Sequence, residues 1–244
     1  MSAPQFFVSR LVAGERVALE PADARHAVGS LRLRVGDAVR LADAEGGVGR
    51  AVLVETSRAG AVLEVHDVER VVRPAPALSV ALAPPKGDRL SWALQKLAEV
   101  GVDEVILLET ERSVRRWDRE RTSAAIGRLA GVAREAAMQS RRPFIMRVGG
   151  LSPLAEAADP ADAGAANVIV LWERATEALG AALRRSTGDV RLVIGPEGGL
   201  AEAEVERCVE AGAATASLGE GILRTETAAL AASVVALSHL GRLG

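Results

Sequence analysis

From residue 78 onward, short aliphatic runs alternate with longer helical patterns, and that alternation restricts the chain to very few architectures. "LSVALA" (78–83), "VDEVILLE" (102–109), "NVIVLWE" (167–173), "DVRLVIG" (189–195) and "TASLGE" (215–220) each read as a strand, with helical segments between and after them. Asp88 is a candidate N-cap for a helix that carries Leu90, Leu94, Leu97 and Ala98 inward and ends at Gly101. A longer helix after Asp118 places Ile126, Leu129, Ala133 and Ala137 on one face. The last helix, "TAALAASVVALSHL" (227–240), is apolar almost all round and therefore calls for burial against the sheet or against another subunit. The pattern specifies an α/β fold with a mostly parallel sheet.

Residues 1–73 follow a different rhythm. "RVALE", "LRLRVGDAVRLAD", "GRAVLVETS" and "AVLEVHDVERVV" read as short strands, with Val39 and Leu41 in period-2 alternation. Arg32 and Arg34 alternate with Leu31 and Leu33, as on the exposed face of a half-buried strand. Turn signals at Gly36-Asp37, Gly46-Gly47 and Gly60, with one helical patch near Pro21 to Gly29, suit a small β-barrel better than a parallel sheet. Pro74 and Pro76 cannot donate to a sheet, so residues 74–77 read as a linker between a domain of residues 1–73 and one of residues 78–244.

Composition removes several function classes. A single cysteine, Cys208, excludes an internal disulfide, and with three histidines the chain lacks the Cys/His spacing of a zinc site, so no metal is expected. No apolar run approaches the ~20 residues needed to span a bilayer. "MSAPQFFVSR" has no basic and apolar leader pattern, and the expectation is a cytoplasmic protein without a membrane partner. The net charge of −2 hides a segregated distribution. Residues 110–147 hold ten arginines against Glu111, Asp118, Glu120 and Glu135, while residues 148–244 hold seven arginines against thirteen acids. A basic stripe of this kind serves a phosphate-backbone partner or simply solvates a helix face, and composition leaves both open.

Two glycine-rich loops carry the remaining information. "GPEGG" (195–199) stands at the carboxyl end of a strand, where ligands of open α/β sheets sit and where glycines admit close backbone approach. "SLGEGILRTETAAL" (217–230) repeats the arrangement, and on a neighbouring strand it would complete one cleft. Neither loop is a dinucleotide fingerprint, because Arg224 stands where the third glycine belongs; no phosphate-binding G-x-x-x-x-G-K-[ST] and no G-x-S-x-G elbow occur. Each loop alone is as compatible with a plain turn as with a ligand site.

Taken in order, "KGDRLSWALQKLAEVGV" (86–102), "ERSV" (111–114), "REAAMQSRRP" (134–143), "LVIGPEGGLAEAEV" (192–205) and "LGEGILRTETAAL" (218–230) resemble the RsmE family of bacterial ribosomal RNA methyltransferases, within the SPOUT superfamily. "FFV" (6–8) and "HAVGSLRLRVGD" (26–37) are similar to that family's PUA-like RNA-binding domain. One departure is Gln5, where family members commonly carry an arginine. The resemblance implies a C-terminal deep trefoil knot, a homodimer, S-adenosylmethionine as cofactor, and methylation of N3 of a single uridine in 16S rRNA of the small ribosomal subunit. It further implies a cofactor site formed by Leu171, Glu173, Gly195, Pro196, Glu197, Gly198, Leu218, Gly219, Ile222, Leu223 and Thr225.

The N3 proton must leave during attack, which calls for a base or an anion-stabilising group. Glu197 and Glu226 are the carboxylate candidates and Arg224 the cationic one, although either glutamate also suits a helix N-terminus. His26, Arg32, Arg34, Arg112, Arg134, Gln139, Arg141 and Arg142 are candidates for RNA contact. Two alternatives stay open: a SPOUT enzyme acting on another RNA atom such as a ribose 2′-oxygen, and a noncatalytic RNA-binding ribosome assembly factor.

Overall fold

The computed structural model describes residues 3–57, 60–113, 119–164 and 167–243. The chain forms two compact units, one of Met1–Arg73 with Ala137–Ile145 and one of Pro74–Ala136 with Met146–Gly244.

The first unit contains β1 (Gln5–Phe7), β2 (Arg16–Ala18), α1 (Pro21–Arg25), β3 (Ala38–Ala42), β4 (Gly47–Ser57) and β5 (Gly60–Arg70). They make one sheet in the order β1-β3-β4-β5-β2, antiparallel except for the β1–β3 pair. Register shifts at Arg50/Ala51 and Leu53/Glu55 bend the long β4–β5 ribbon. A single core gathers Phe6 and Val17 from the two edge strands with Leu41, Leu53 and Leu63 from the middle, so the sheet curls around its own apolar face.

One expectation for this unit fails. Residues 31–37 are not a strand, and β3 begins only at Ala38. The chain winds through a wide helical turn at His26–Ser30, where the Leu31 and Leu33 N–H groups donate back to His26 and Ala27 carbonyls at 2.9 Å each. Arg32 then takes φ 55° and the Asp37 carboxylate accepts the Arg34 N–H at 2.7 Å. The alternating side chains suggested a pleat, but these local bonds consume the donors a ladder would need.

The second unit contains β6 (Leu78–Leu82), α2 (Arg89–Val100), β7 (Glu104–Glu109), β8 (Arg147–Pro153), α4 (Leu154–Ala158), α5 (Pro160–Ala163), β9 (Asn167–Leu171), α6 (Leu179–Arg185), β10 (Val190–Ile194), α7 (Glu202–Glu210), β11 (Ala214–Ala216) and α8 (Thr225–His239). Helix α3 (Arg119–Gln139) begins in it and ends in the first unit; Asp118, before that helix, lies outside the described residues. The six strands are parallel throughout, in the order β11-β9-β10-β6-β7-β8. Central β10 is buried at every position, as a strand covered on both faces must be.

Helix α2 buries Leu90, Leu94, Leu97 and Ala98 and stops at Gly101, whose φ of 105° favours a residue without Cβ. Asp88 occupies the N-cap position but makes no side-chain capping bond. Helix α8 packs on α2, α6, β6 and β10 through Ala229, Ala232, Ala236 and Leu237. Its other face is not covered: Val234 and Val235 are 36% and 40% exposed, so the expectation of burial holds for one face only within a single chain. The following residue of note, Arg242, forms a buried ion pair with Asp103 and donates to the carbonyls of Pro76 (2.9 Å) and Gly101 (3.0 Å). No helix among the described residues is long and apolar enough to cross a membrane.

Candidate functional site

A cavity of about 470 Å³ opens outside the carboxyl ends of β9, β10 and β11. The two glycine-rich loops do meet there, but not on adjacent strands. β9 lies between β10 and β11 and contributes a wall of its own. The crossover order moves the last strand past β9, a topology that linear spacing could not specify.

All eleven residues expected to hold a cofactor line this one cavity. Leu171 and Glu173 come from the end of β9, Gly195 to Gly198 from the loop after β10, and Leu218, Gly219, Ile222, Leu223 and Thr225 from the loop after β11. Sequence reasoning missed Trp172, Ile194, Gly199, Leu200, Glu220, Gly221 and Ala228. Trp172 was the most legible of them, being a large side chain between two chosen neighbours; its N–H donates to Ala216 at 2.9 Å and so joins the β9 loop to β11.

The backbone of the β10 loop is largely committed within the protein. The Gly195 carbonyl accepts the Thr225 hydroxyl at 3.2 Å, which fastens the first turn of α8 to the loop. A Cβ on Gly195 would sit 2.8 Å from Leu200 Cγ, so glycine is required by close packing. The peptide unit joining Gly198 to Gly199 is engaged at both ends, its carbonyl accepting Arg112 Nη1 at 3.0 Å and its N–H donating to Pro196 at 2.9 Å. Glu197 accepts the Lys86 N–H at 3.2 Å, tying the loop to the segment that follows β6. The α7 helix behind it is capped by Glu204, which is buried and accepts the N–H groups of Ala201 (2.9 Å) and Glu111 (2.8 Å).

Among the described residues, three carboxylates, Glu173, Glu197 and Glu220, line the cavity, and neither lysine nor arginine does. Beyond its rim, Arg174 pairs with Glu202 at 3.2 Å and its guanidinium lies 5.9 Å from the centre of the Trp172 ring. Arg185 holds the Glu177 carboxyl below its usual range through a direct hydrogen bond. Burial pushes the Cys208 thiol up, away from the reactive thiolate.

The three candidate catalytic side chains are placed unequally. Glu197 lines the cavity and is exposed. Arg224 and Glu226 flank the lining residue Thr225 without lining the cavity themselves. Arg224 is exposed immediately before α8. Glu226 is buried in the first turn of α8, 3.5 Å from Arg89, and its Oε2 has no hydrogen-bond partner.

The RNA candidates fall at several places. His26, Arg32 and Arg34 are exposed on the first unit, with the His26 ring edge-on to Phe6 at 6.4 Å. Gln139 and Arg141 are exposed at and just beyond the end of α3, while Arg134 and Arg142 are half-buried. Arg112 reaches the loop after β10 rather than the end of α3, through its bond to Gly198. Gln5 is 3% exposed, accepts Arg40 Nε at 3.0 Å and donates to the Arg142 carbonyl at 2.8 Å, so it ties strands and loop together inside the first unit. Among the described residues, no group of three His, Cys, Asp or Glu is arranged to hold a metal ion.

Comparison with known proteins agrees with this geometry. Residues 73–237 match the model of an RNA methyltransferase domain, and residues 19–65 that of an RNA methyltransferase PUA domain. Ribosomal RNA small subunit methyltransferase E of Mycobacterium bovis is 35% identical across all of this chain and 93% of its own length. The Bacillus subtilis enzyme of the same name is 32% identical over 85% of this chain and 84% of its own. The crystal structure of ribosomal RNA small subunit methyltransferase E from Neisseria gonorrhoeae bound to S-adenosyl methionine superposes with a TM-score of 0.87, at 28% identity, over 97% of this chain and 98% of that one.

Proposed function

Since the chain belongs to the family of ribosomal RNA small subunit methyltransferase E, we propose that it methylates N3 of one uridine in 16S rRNA, using S-adenosylmethionine. The observation that carries this reading is the convergence of three loops, from β9, β10 and β11, on one cavity of about 470 Å³. That size suits a nucleoside-bearing ligand. Gly195, packed against Leu200 with no room for a side chain, brings main chain rather than side chain to the cavity wall.

When bound, S-adenosylmethionine supplies an electrophilic methyl group on a sulfonium sulfur. The chain's own residues must hold that group in line with uridine N3 and dispose of the N3 proton. Leu171, Leu218, Ile222 and Leu223 offer apolar contact to an adenine ring, and the backbone polar groups of the β10 and β11 loops not engaged by other described residues, around Gly198 and Gly219, offer donors and acceptors to its edge and to the ribose. Glu173 lies at the mouth beside Gly199. Of the carboxylates on the cavity wall, Glu197 serves as proton acceptor; Arg224, exposed in the loop before α8, stabilises the uridine anion as it forms. Glu226 acts through Arg89, holding the N-terminal ends of α2 and α8 in place.

Residues 1–73 act as the PUA-like RNA-binding domain, with His26, Arg32 and Arg34 toward RNA, and Arg134, Gln139, Arg141 and Arg142 contribute at the end of α3. Residues 78–244 form the methyltransferase domain, with the knotted C-terminal topology of its family. The exposed Val234–Val235 face of α8 supports a homodimer, and the reaction belongs in the cytoplasm, where ribosomal RNA is processed. Nucleoside mass spectrometry of 16S rRNA from a deletion strain tests the reading. Loss of 3-methyluridine, restored by the wild-type chain, is expected. An unchanged level would refute the N3 assignment, and loss of a 2′-O-methyl nucleoside instead would move the reaction to the ribose.

A further inference from the structure

Arg112 is among the sequence's candidates for RNA contact, yet its guanidinium is committed elsewhere. Nη1 donates to the Gly198 carbonyl at 3.0 Å, and the side-chain stem lies across the same glycine, with Cβ and Cδ 3.7 and 3.9 Å from the point a Gly198 Cβ would occupy. The loop that carries Arg112 is itself fixed. The Ser113 N–H donates to the Thr110 carbonyl at 3.1 Å, the Thr110 N–H donates to Ser113 Oγ at 3.0 Å, and the Glu111 N–H donates to the buried Glu204 at 2.8 Å. Arg112 therefore projects from an anchored turn after β7, over the intervening β6, onto the loop after β10.

We infer that Arg112 is a positioning residue for the cofactor pocket, acting through the Gly198 peptide and not through RNA. The proposal rests on the reading of this cavity as the S-adenosylmethionine site. Its physical content lies in one peptide plane. The carbonyl of Gly198 is drawn outward by Arg112 while the N–H of Gly199, on the opposite side of the same unit, closes the turn onto Pro196 at 2.9 Å. A glycine pair has wide conformational freedom, and without the outward pull the plane can rotate and present its carbonyl to the cavity. With it, the wall offered to the ligand is set before the ligand arrives, and the ordering cost of binding falls. The Lys86–Glu197 bond holds the preceding residue from the β6 side, so the loop is braced from two strands.

The test measures S-adenosylmethionine binding by calorimetry on the full chain with no RNA present, for wild type, Arg112→Ala and Arg112→Lys, with thermal unfolding of the apo proteins alongside. A lost charge-assisted hydrogen bond at an exposed site corresponds to roughly a three- to tenfold rise in Kd for Arg112→Ala. Arg112→Lys, which keeps one donor, restores part of the affinity. With saturating cofactor, KM for RNA and its salt dependence stay at wild-type values in both variants. The inference is overturned if the cofactor Kd of Arg112→Ala equals that of wild type, whether or not RNA affinity falls. It is likewise overturned if Arg112→Lys binds cofactor no better than Arg112→Ala. Failure of wild type itself to bind S-adenosylmethionine would instead refute the underlying reading of the cavity.

Discussion

The hydroxyl of Thr225 donates to the carbonyl of Gly195 across 3.2 Å, joining the start of the last helix to the glycine-rich loop thirty residues before it. Thr225 is buried, so replacing it with valine keeps the volume and removes only the donor. One such bond is worth about 1 kcal/mol, equivalent to roughly a fivefold change in affinity. Thr225→Val should therefore weaken S-adenosylmethionine about fivefold in calorimetry, and Thr225→Ser should recover most of it. Equal affinities for all three proteins would show that the tie is irrelevant to the pocket.

Gly195→Ala makes a second, steric prediction. The added Cβ would meet Leu200 Cγ at 2.8 Å and Cδ2 at 3.1 Å, and Leu200 is itself buried. Overpacking of this sort costs about 1–3 kcal/mol. Thermal unfolding should show the loss in the apo protein, and cofactor binding should weaken beyond what the lowered stability explains. A variant as stable as wild type would mean that Leu200 gives way freely.

The two glutamates should separate in kinetics. Glu197→Gln, altering a carboxylate on the cavity wall, should lower kcat by roughly 10²–10⁴-fold with little effect on cofactor Kd. Glu226→Gln, altering a buried group beside Arg89, should lower kcat far less. The opposite pattern would transfer the proton-accepting role to Glu226.

If Arg134, Arg141 and Arg142 face phosphates, each replacement by glutamine should weaken RNA binding and reduce the salt slope of log K by about one unit per lost contact. Filter binding at several ionic strengths reads this directly. An invariant slope would leave these arginines as supports of the α3 terminus.

Cys208 yields a pH prediction with a definite sign. Burial raises its folded-state pKa, so the native state favours the thiol. Below the unfolded value, about 8.5, both states hold the proton and no difference arises. Above it the unfolded chain ionises first, and this group's contribution to stability falls as pH rises toward the folded value. Cys208→Ala should flatten the alkaline decline of stability in urea melts above about pH 8.5. The native thiol should also resist iodoacetamide until the protein is unfolded; prompt labelling of the folded chain would contradict its burial.

The fold was legible where side-chain pattern and backbone demand coincide. Buried strands such as "DVRLVI" declared themselves by continuous apolar runs, and α2 by its spacing and its terminal Gly101. β8 escaped because it is an edge strand with glycines at 149 and 150 and no residue fully buried, leaving no periodic signal. The "LRLRV" alternation misled because local bonds to His26, Ala27 and Asp37 claimed its backbone. The expected cavity residues were recoverable from motif order, since they sit at or just beyond the carboxyl ends of strands or at the start of α8. The contact of Arg112 with Gly198 was not, because it spans 86 residues and depends on which strands are neighbours.

The cavity walls come from the ends of β9 and β10 and from the loop that leads into α8. A molecule lodged there acts as a rivet through three separate stretches of chain. It should therefore raise the melting temperature with its own concentration, and slow hydrogen exchange at the start of α8 more than at β7 or β8. Ligand affinity and the endurance of the C-terminal third of the molecule are then a single quantity read in two ways.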